Sequence, residues 1–314
     1  MDGFQHLPVM AREVVELLAP VPSGVVVDAT VGGGGHARLL LEARPDLRLL
    51  GIDRDPDAVT AARTSLAEFG DRALVVQGGF EDLATIVKHS SEGNIMGILF
   101  DLGVSSPQLD RADRGFTYWG DAPLDMRMDS SQALTAEGVV NDYPQDQLAD
   151  VLRTYGEERF ARQIAARIVA SRPLHTTADL VEAVKDAIPA PARRHGGHPA
   201  RRTFQAIRME VNRELPSLEA GLDEAVHVLA PGGRVLVLSY HSLEDRIVKE
   251  RFSRWAGEDE PQPPGFPVEP ERRGLVRVLN RRPFRPRSSE VARNSRARSA
   301  RLRAAERLGV PHGS

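Results

Sequence analysis

Four short apolar runs in the first 101 residues alternate with helix-patterned segments, and three of the four end in aspartate. They are Gly24-Val25-Val26-Val27-Asp28, Leu49-Leu50-Gly51-Ile52-Asp53, Ala73-Leu74-Val75-Val76 and Gly97-Ile98-Leu99-Phe100-Asp101. Runs without polar alternation suit strands buried on both faces. Strand–helix repetition of that kind means a parallel sheet covered by helices on each side. Residues 37–43 and 56–69 supply the helical spacing. In the second segment Pro56 falls in the first turn, and Ala58, Ala62, Leu66 and Phe69 share one side. The expected class is α/β, a doubly wound, mostly parallel sheet.

The rhythm then breaks. Residues 103–129 are irregular, and helical periodicity follows over 146–154, 157–171 and 178–187. Phe160, Ile164 and Ile168 form one stripe of the middle segment. A Pro/Gly/Arg-rich connection occupies 189–199. Beyond it, Phe204, Ile207, Val211, Leu215, Leu218, Leu222, Val226 and Leu229 recur at helical spacing. Pro216 should kink that region or start a second helix, and Ala230-Pro231-Gly232-Gly233 should stop it. Residues 234–239 form a fifth buried strand, 259–270 a loop rich in Pro and acids, and 275–279 and 300–304 the last strands. About a hundred residues separate the fourth and fifth strands, far beyond a βαβ crossover. The expected organisation is a sheet domain from residues 1–110 and 203–314, interrupted by a mostly helical insertion at 111–202.

Bulk properties narrow the setting. With no cysteine, disulfides, thiolate zinc sites and cysteine nucleophiles are excluded, and no metal site is expected. No basic leader followed by an apolar run is visible, and no apolar run approaches the ~20 residues of a membrane span. A cytoplasmic enzyme without membrane contact is the expectation. Net charge is −3, yet residues 271–307 hold thirteen Arg, no Lys and three Glu. That segment carries an excess of ten positive charges and points to a surface that meets a polyanion.

Chemistry-bearing residues cluster at the strand ends. Asp28-Ala29-Thr30-Val31-Gly32-Gly33-Gly34-Gly35-His36 follows the first strand and opens a helix, where α/β sheets bind nucleotides. Gly32, Gly34 and Ala37 satisfy the loose G-x-G-x-x-A pattern. Asp53 lies 21 residues beyond Gly32, placed to accept ribose hydroxyls of an adenosine-containing cofactor. NAD and S-adenosylmethionine fit those features equally. The fourth strand runs into Asp101-Leu102-Gly103-Val104-Ser105-Ser106-Pro107-Gln108. That run can present carbonyls and hydroxyls to a planar amine, or simply turn the chain. After the fifth strand comes Ser239-Tyr240-His241-Ser242-Leu243-Glu244-Asp245-Arg246. Ser242 with Asp245 fits a helix capping box. His241 is a candidate for RNA binding or for assisting proton loss.

At these residues the chain resembles the RsmH (MraW) family, the 16S ribosomal RNA cytosine-N4 methyltransferases. The likeness covers nearly the full length. It runs through His6-Leu7-Pro8-Val9-Met10, residues 28–36, Gly51-Ile52-Asp53-Arg54-Asp55, residues 100–110 and Arg114-Gly115-Phe116. It continues in Pro123-Leu124-Asp125-Met126-Arg127-Met128-Asp129, Gly156-Glu157-Glu158-Arg159-Phe160-Ala161-Arg162, His198-Pro199-Ala200 and Thr203-Phe204-Gln205-Ala206. It ends in residues 239–249 and 294–302. Departures are small: Tyr240 stands where the family often has Phe, and Ser295 where it often has Pro.

The resemblance implies a class I methyltransferase fold and S-adenosylmethionine as cofactor. Its cofactor contacts fall on Gly34, Gly35, His36, Asp53, Phe80, Asp101 and Gln108. It also implies a substrate, one cytidine in the decoding region of 16S rRNA within the small (30S) subunit. Asp101, Ser105, Ser106 and His241 are the catalytic candidates, and Arg127, Arg159 and the arginine-rich segment the candidates for phosphate contact. A second copy of the chain remains an open partner. The competing readings are an NAD-dependent oxidoreductase and a ribosome assembly factor without chemistry.

Overall fold

The computed structural model describes residues 8–90, 92–105, 108, 111–193, 197–258 and 274–309. The four apolar runs are strands β1 (Val25–Asp28), β2 (Arg48–Asp53), β3 (Ala73–Gln77) and β4 (Ile95–Asp101), followed by β5 (Leu229–Ser239), β6 (Val276–Val278) and β7 (Arg301–Arg307). They form one sheet in the order β3-β2-β1-β4-β5-β7-β6. The first five are parallel, and β7 runs antiparallel to both β5 and β6. This is the strand order of a Rossmann-like class I methyltransferase sheet. The order reverses between β1 and β4, and ligands of such sheets bind at the carboxyl ends of strands beside that switch point.

Alternate side chains of the strands enter two cores. On one face Val14 and Leu18 of α1 (Ala11–Leu18), Leu40 of α2 (Gly35–Ala43) and Val59 and Leu66 of α3 (Pro56–Leu66) cover Val26, Leu49, Val75, Leu99 and Leu236. On the other, Leu83 of α4 (Leu83–Ser90) lies with Val25, Val27, Ile52, Ile98 and Phe100. The stretch expected as one helix over 56–69 ends at Leu66 and tightens into a 3-10 turn, because Gly70 leaves helical geometry at φ 52°.

Contacts divide the chain into two compact units, one of residues 1–103 with 216–314 and one of residues 104–215. The sequence expectation set these limits at 110/111 and 202/203. The second unit is built from α5 (Ala136–Asp142), α6 (Gln145–Gly156), α7 (Ala161–Ala170), α8 (Thr177–Ala187) and α9 (Arg201–Val211). Phe204, Ile207 and Val211 of α9 enter the same core as Leu148, Leu152, Ile164, Ile168 and Leu180, so this helix packs with the second unit. The helix expected to start at 157 starts at Ala161: Glu157 takes a left-handed conformation at the end of α6, and Phe160 is the cap. A break at Asn212 and Arg213 separates α9 from α10 (Glu214–Val228), with Pro216 in the first turn of α10. Ala230 to Gly233 belong to β5, whose register to β4 jumps between Ile95↔Leu229 and Gly97↔Arg234. The 259–270 loop lies outside the described residues.

Candidate cofactor site at the strand ends

The carboxyl ends of β1, β2 and β4 lie side by side, which brings Asp28, Asp53 and Asp101 to one rim of the sheet. The glycine loop crosses that rim. Gly34 caps α2 at φ 84°, a conformation a side chain resists, and a Cβ there would sit 3.3 Å from Leu66. The loop is anchored by Asp53, whose carboxylate accepts from Gly32 N at 2.9 Å and from Asp55 N at 2.9 Å. Each oxygen keeps a further lone pair. Burial holds the Asp53 carboxyl above its ordinary pKa, opposed by those two backbone donors.

Asp101 is the centre of a second group. Its backbone N donates to Thr30 Oγ at 2.6 Å, tying β4 to the loop after β1. Its Oδ1 accepts from the Tyr240 hydroxyl at 2.7 Å, and its Oδ2 lies 3.4 Å from His36 Nε2. Burial and then the Asp101 charge push the Tyr240 phenol well above its ordinary pKa, so it remains a donor. His36 is buried, and neither ring nitrogen has a hydrogen-bond partner among the described residues. The 3.4 Å approach to Asp101 is an ion-pair distance without hydrogen-bond alignment. A buried imidazole with open nitrogens beside two carboxylates fits a polar ligand better than a closed core.

Asp28 completes this group. Burial raises its carboxyl pKa to about 7, against His36, which lowers it. Folding therefore favours the protonated form. Between its ordinary pKa and about 7 the folded chain holds a proton that the unfolded chain releases, so this stabilisation is lost as pH rises through that window. Asp28→Asn is expected to gain thermal stability relative to the parent between about pH 5 and pH 8. An unchanged difference across that range, in melting curves, would contradict the assignment.

Phe80 is half-buried just after β3. Phe100 meets it edge-on at 5.6 Å, and the Arg54 guanidinium lies 5.6 Å from its ring centre while pairing with Glu81 at 2.9 Å. A Cβ on Gly221 would be 2.8 Å from the Phe80 carbonyl oxygen, so only glycine lets α10 approach this turn. Gly34, Gly35, His36, Asp53, Phe80 and Asp101 thus fall in one unit. Ser105 and Gln108 belong to the other, where Ser105 N donates to Gln108 Oε1 at 3.0 Å and Gln108 N to Ser105 Oγ at 3.4 Å. Ser106 lies outside the described residues.

Some expectations are revised by side-chain partners. The capping box of α11 (Ser242–Trp255) uses His241 and Glu244, not Ser242 and Asp245. His241 Nδ1 accepts from Glu244 N, and Glu244 Oε2 accepts from Tyr240 N and His241 N. His241 is thereby a helix cap with one nitrogen committed to the backbone. Asp245 instead holds Arg301 and Arg303 at 3.0 and 2.7 Å, so these two arginines are structural. Arg127 is likewise engaged by Asp125 and by the carbonyls of Ser130 and Gln132. Arg159 stacks its guanidinium over Phe160 at 4.6 Å. Asp28, Thr30 and Tyr240 went unassigned by sequence reasoning; the signal available for Asp28 was a carboxylate ending a wholly apolar strand.

Residues 3–308 match the model of the MraW methylase family. The chain is 51% identical over 311 residues to ribosomal RNA small subunit methyltransferase H of Symbiobacterium thermophilum, covering 98% of each chain. It is 52% identical over 313 residues to the protein of that name from Thermobifida fusca, covering 98% of this chain and 94% of the relative. An rRNA methylase structure from Streptococcus thermophilus aligns at 12% identity and a TM-score of 0.41, over 95% of this chain and 94% of the other.

Proposed function

This chain belongs to the MraW methylase family, and on that premise we propose that it moves a methyl group from S-adenosylmethionine to N4 of one cytidine in the decoding region of 16S rRNA, on the small ribosomal subunit. The observation that carries the cofactor reading is the rim of Asp53, Asp101 and the open-nitrogen His36 around a glycine loop. S-adenosylmethionine supplies an electrophilic methyl group on a positively charged sulfur. The residues present fit it. Asp53 would accept the ribose hydroxyls through its remaining lone pairs, and Phe80 would offer its ring to the adenine. The loop around Gly34 lets the backbone approach closely. His36 and Asp101, the latter held by the Tyr240 hydroxyl, would receive the charged amino-acid end.

On the substrate side, the base must leave its stack to reach such a site. Ser105, Ser106 and Pro107, the last two outside the described residues, are the candidates to supply acceptors for the exocyclic amine, whose lone pair is otherwise delocalised into the ring. Displacement is direct: with no cysteine in the chain, the thiolate attack on C6 that serves C5-methylation has no candidate nucleophile. The amine proton leaves after transfer, to water or to a nearby acceptor.

Membership of a methylase family sets aside the NAD-dependent alternative that the glycine pattern left open. Calorimetric titration checks this for the chain itself. S-adenosylmethionine should bind and NAD should give no heat above dilution. NAD binding without S-adenosylmethionine binding would overturn the proposal. Among the described residues no helix is long and apolar enough to cross a membrane.

A further inference from the structure

Trp119 is 68% exposed, against 44% for the next most exposed large hydrophobic residue among those described. It is held in place from both sides. Its backbone N–H donates to Thr117 Oγ at 3.1 Å, Gly120 follows at φ 89°, and the Gly120 carbonyl accepts from the buried Thr177 hydroxyl at the start of α8. Ala122 N donates back to that same hydroxyl at 3.1 Å. The exposed indole is thus carried on an anchored turn.

Aromatic rings support it from behind. Tyr118 and His198 stack with centroids 4.5 Å apart and planes within 10°, and Trp119 tilts against His198 at 4.9 Å. Phe204, buried in the core of the second unit, meets Tyr118 edge-on at 5.8 Å. His198 Nδ1 accepts from Ala200 N, and burial lowers its pKa, so the ring is a neutral π surface. Arg201 begins α9 three residues after His198, with its N donating to the His198 carbonyl oxygen. Its side chain is exposed and has no ion-pair or hydrogen-bond partner among the described residues. A single exposed flat ring on a stacked support, in the unit whose helix α9 opens on an exposed arginine three residues after that support, matches a heteroaromatic ring joined to a phosphate.

We propose that Trp119, backed by the Tyr118–His198 stack, is a platform on which an unpaired nucleobase of the substrate RNA stacks, with Arg201 supplying charge for the adjoining phosphate. The site lies wholly within the second unit. It rests on the rRNA reading for its class of ligand. Stacking tolerates any base, so the platform contributes affinity for single-stranded RNA rather than a choice of sequence.

The test uses the full chain and a labelled single-stranded oligoribonucleotide at low salt, compared with the same sequence annealed as a duplex. Trp119→Ala should weaken single-strand binding about tenfold, Trp119→Phe by only about twofold, and the duplex should respond to neither. Trp119 emission should be quenched on binding; the other tryptophan, Trp255, is buried and serves as an internal reference. S-adenosylmethionine affinity and melting temperature should be unchanged in both variants. Single-strand affinity unaffected by Trp119→Ala, or no RNA binding by the parent, overturns the platform. Trp119-dependent RNA binding by a parent that transfers no methyl group would instead overturn the methyltransferase reading and leave the platform standing.

Discussion

Asp53→Ala is expected to weaken S-adenosylmethionine binding about a hundredfold in calorimetric titration. Two effects add. The ribose hydroxyls lose a charged acceptor, and net hydrogen bonds to charged groups are worth about 1.5–3 kcal/mol. The glycine loop also loses its anchor, since Gly32 N and Asp55 N both donate to this carboxylate. Free loop motion in the variant must then be quenched on binding. The sheet itself should survive, because β2 is held by its pairing with β1 and β3. Parent-like affinity in Asp53→Ala would remove this residue from the cofactor site.

Asp245→Ala is expected to destabilise the chain by about 3–5 kcal/mol, the cost of leaving a buried cation without its partner. Arg303 is only 6% exposed, and its guanidinium meets Asp245 at 2.7 Å and the Arg281 carbonyl at 3.0 Å. At the size of the first unit that loss corresponds to roughly 10 °C in melting temperature. A shift under about 2 °C would mean that water reaches Arg303 as readily as Asp245 does. The same substitution separates two roles of the arginine-rich segment. Arg301 and Arg303 should contribute to stability, while exposed arginines such as Arg285 and Arg298 should affect RNA affinity and its salt dependence.

The sheet was legible because its signal is local. A run such as Ile95 to Asp101 with no polar alternation has one good fate, burial between two helical layers. Helices α1 and α4 were missed because each buries so little: Val14 and Leu18 in one, Leu83 in the other. The place of β7 between β5 and β6 depends on pairings such as Arg234↔Glu306 and Val276↔Arg307, between segments far apart in the chain, which no local pattern encodes. The cap of α11 was misread by one position. Ser242 and His241 are both competent caps, and the choice was made by Glu244 reaching back to two backbone donors. Charge clustering located the arginines but could not show that Asp245 and Glu306 already engage some of them. Within the candidate cofactor site, the glycine loop, Asp53 and Asp101 were readable from their places at strand ends. The Tyr240–Asp101 bond was not, since it joins residues 139 apart in the chain. The Tyr118–His198 stack was hidden for the same reason.

The most direct measurement is transfer of labelled methyl from S-adenosylmethionine to small ribosomal subunits lacking the modification, with the product nucleoside identified by mass spectrometry and mapped on the 16S rRNA. The expected product is N4-methylcytidine at a single decoding-region site. Label in another nucleoside, or no transfer by a chain that binds S-adenosylmethionine tightly and is given competent subunits from several assembly stages, would contradict it.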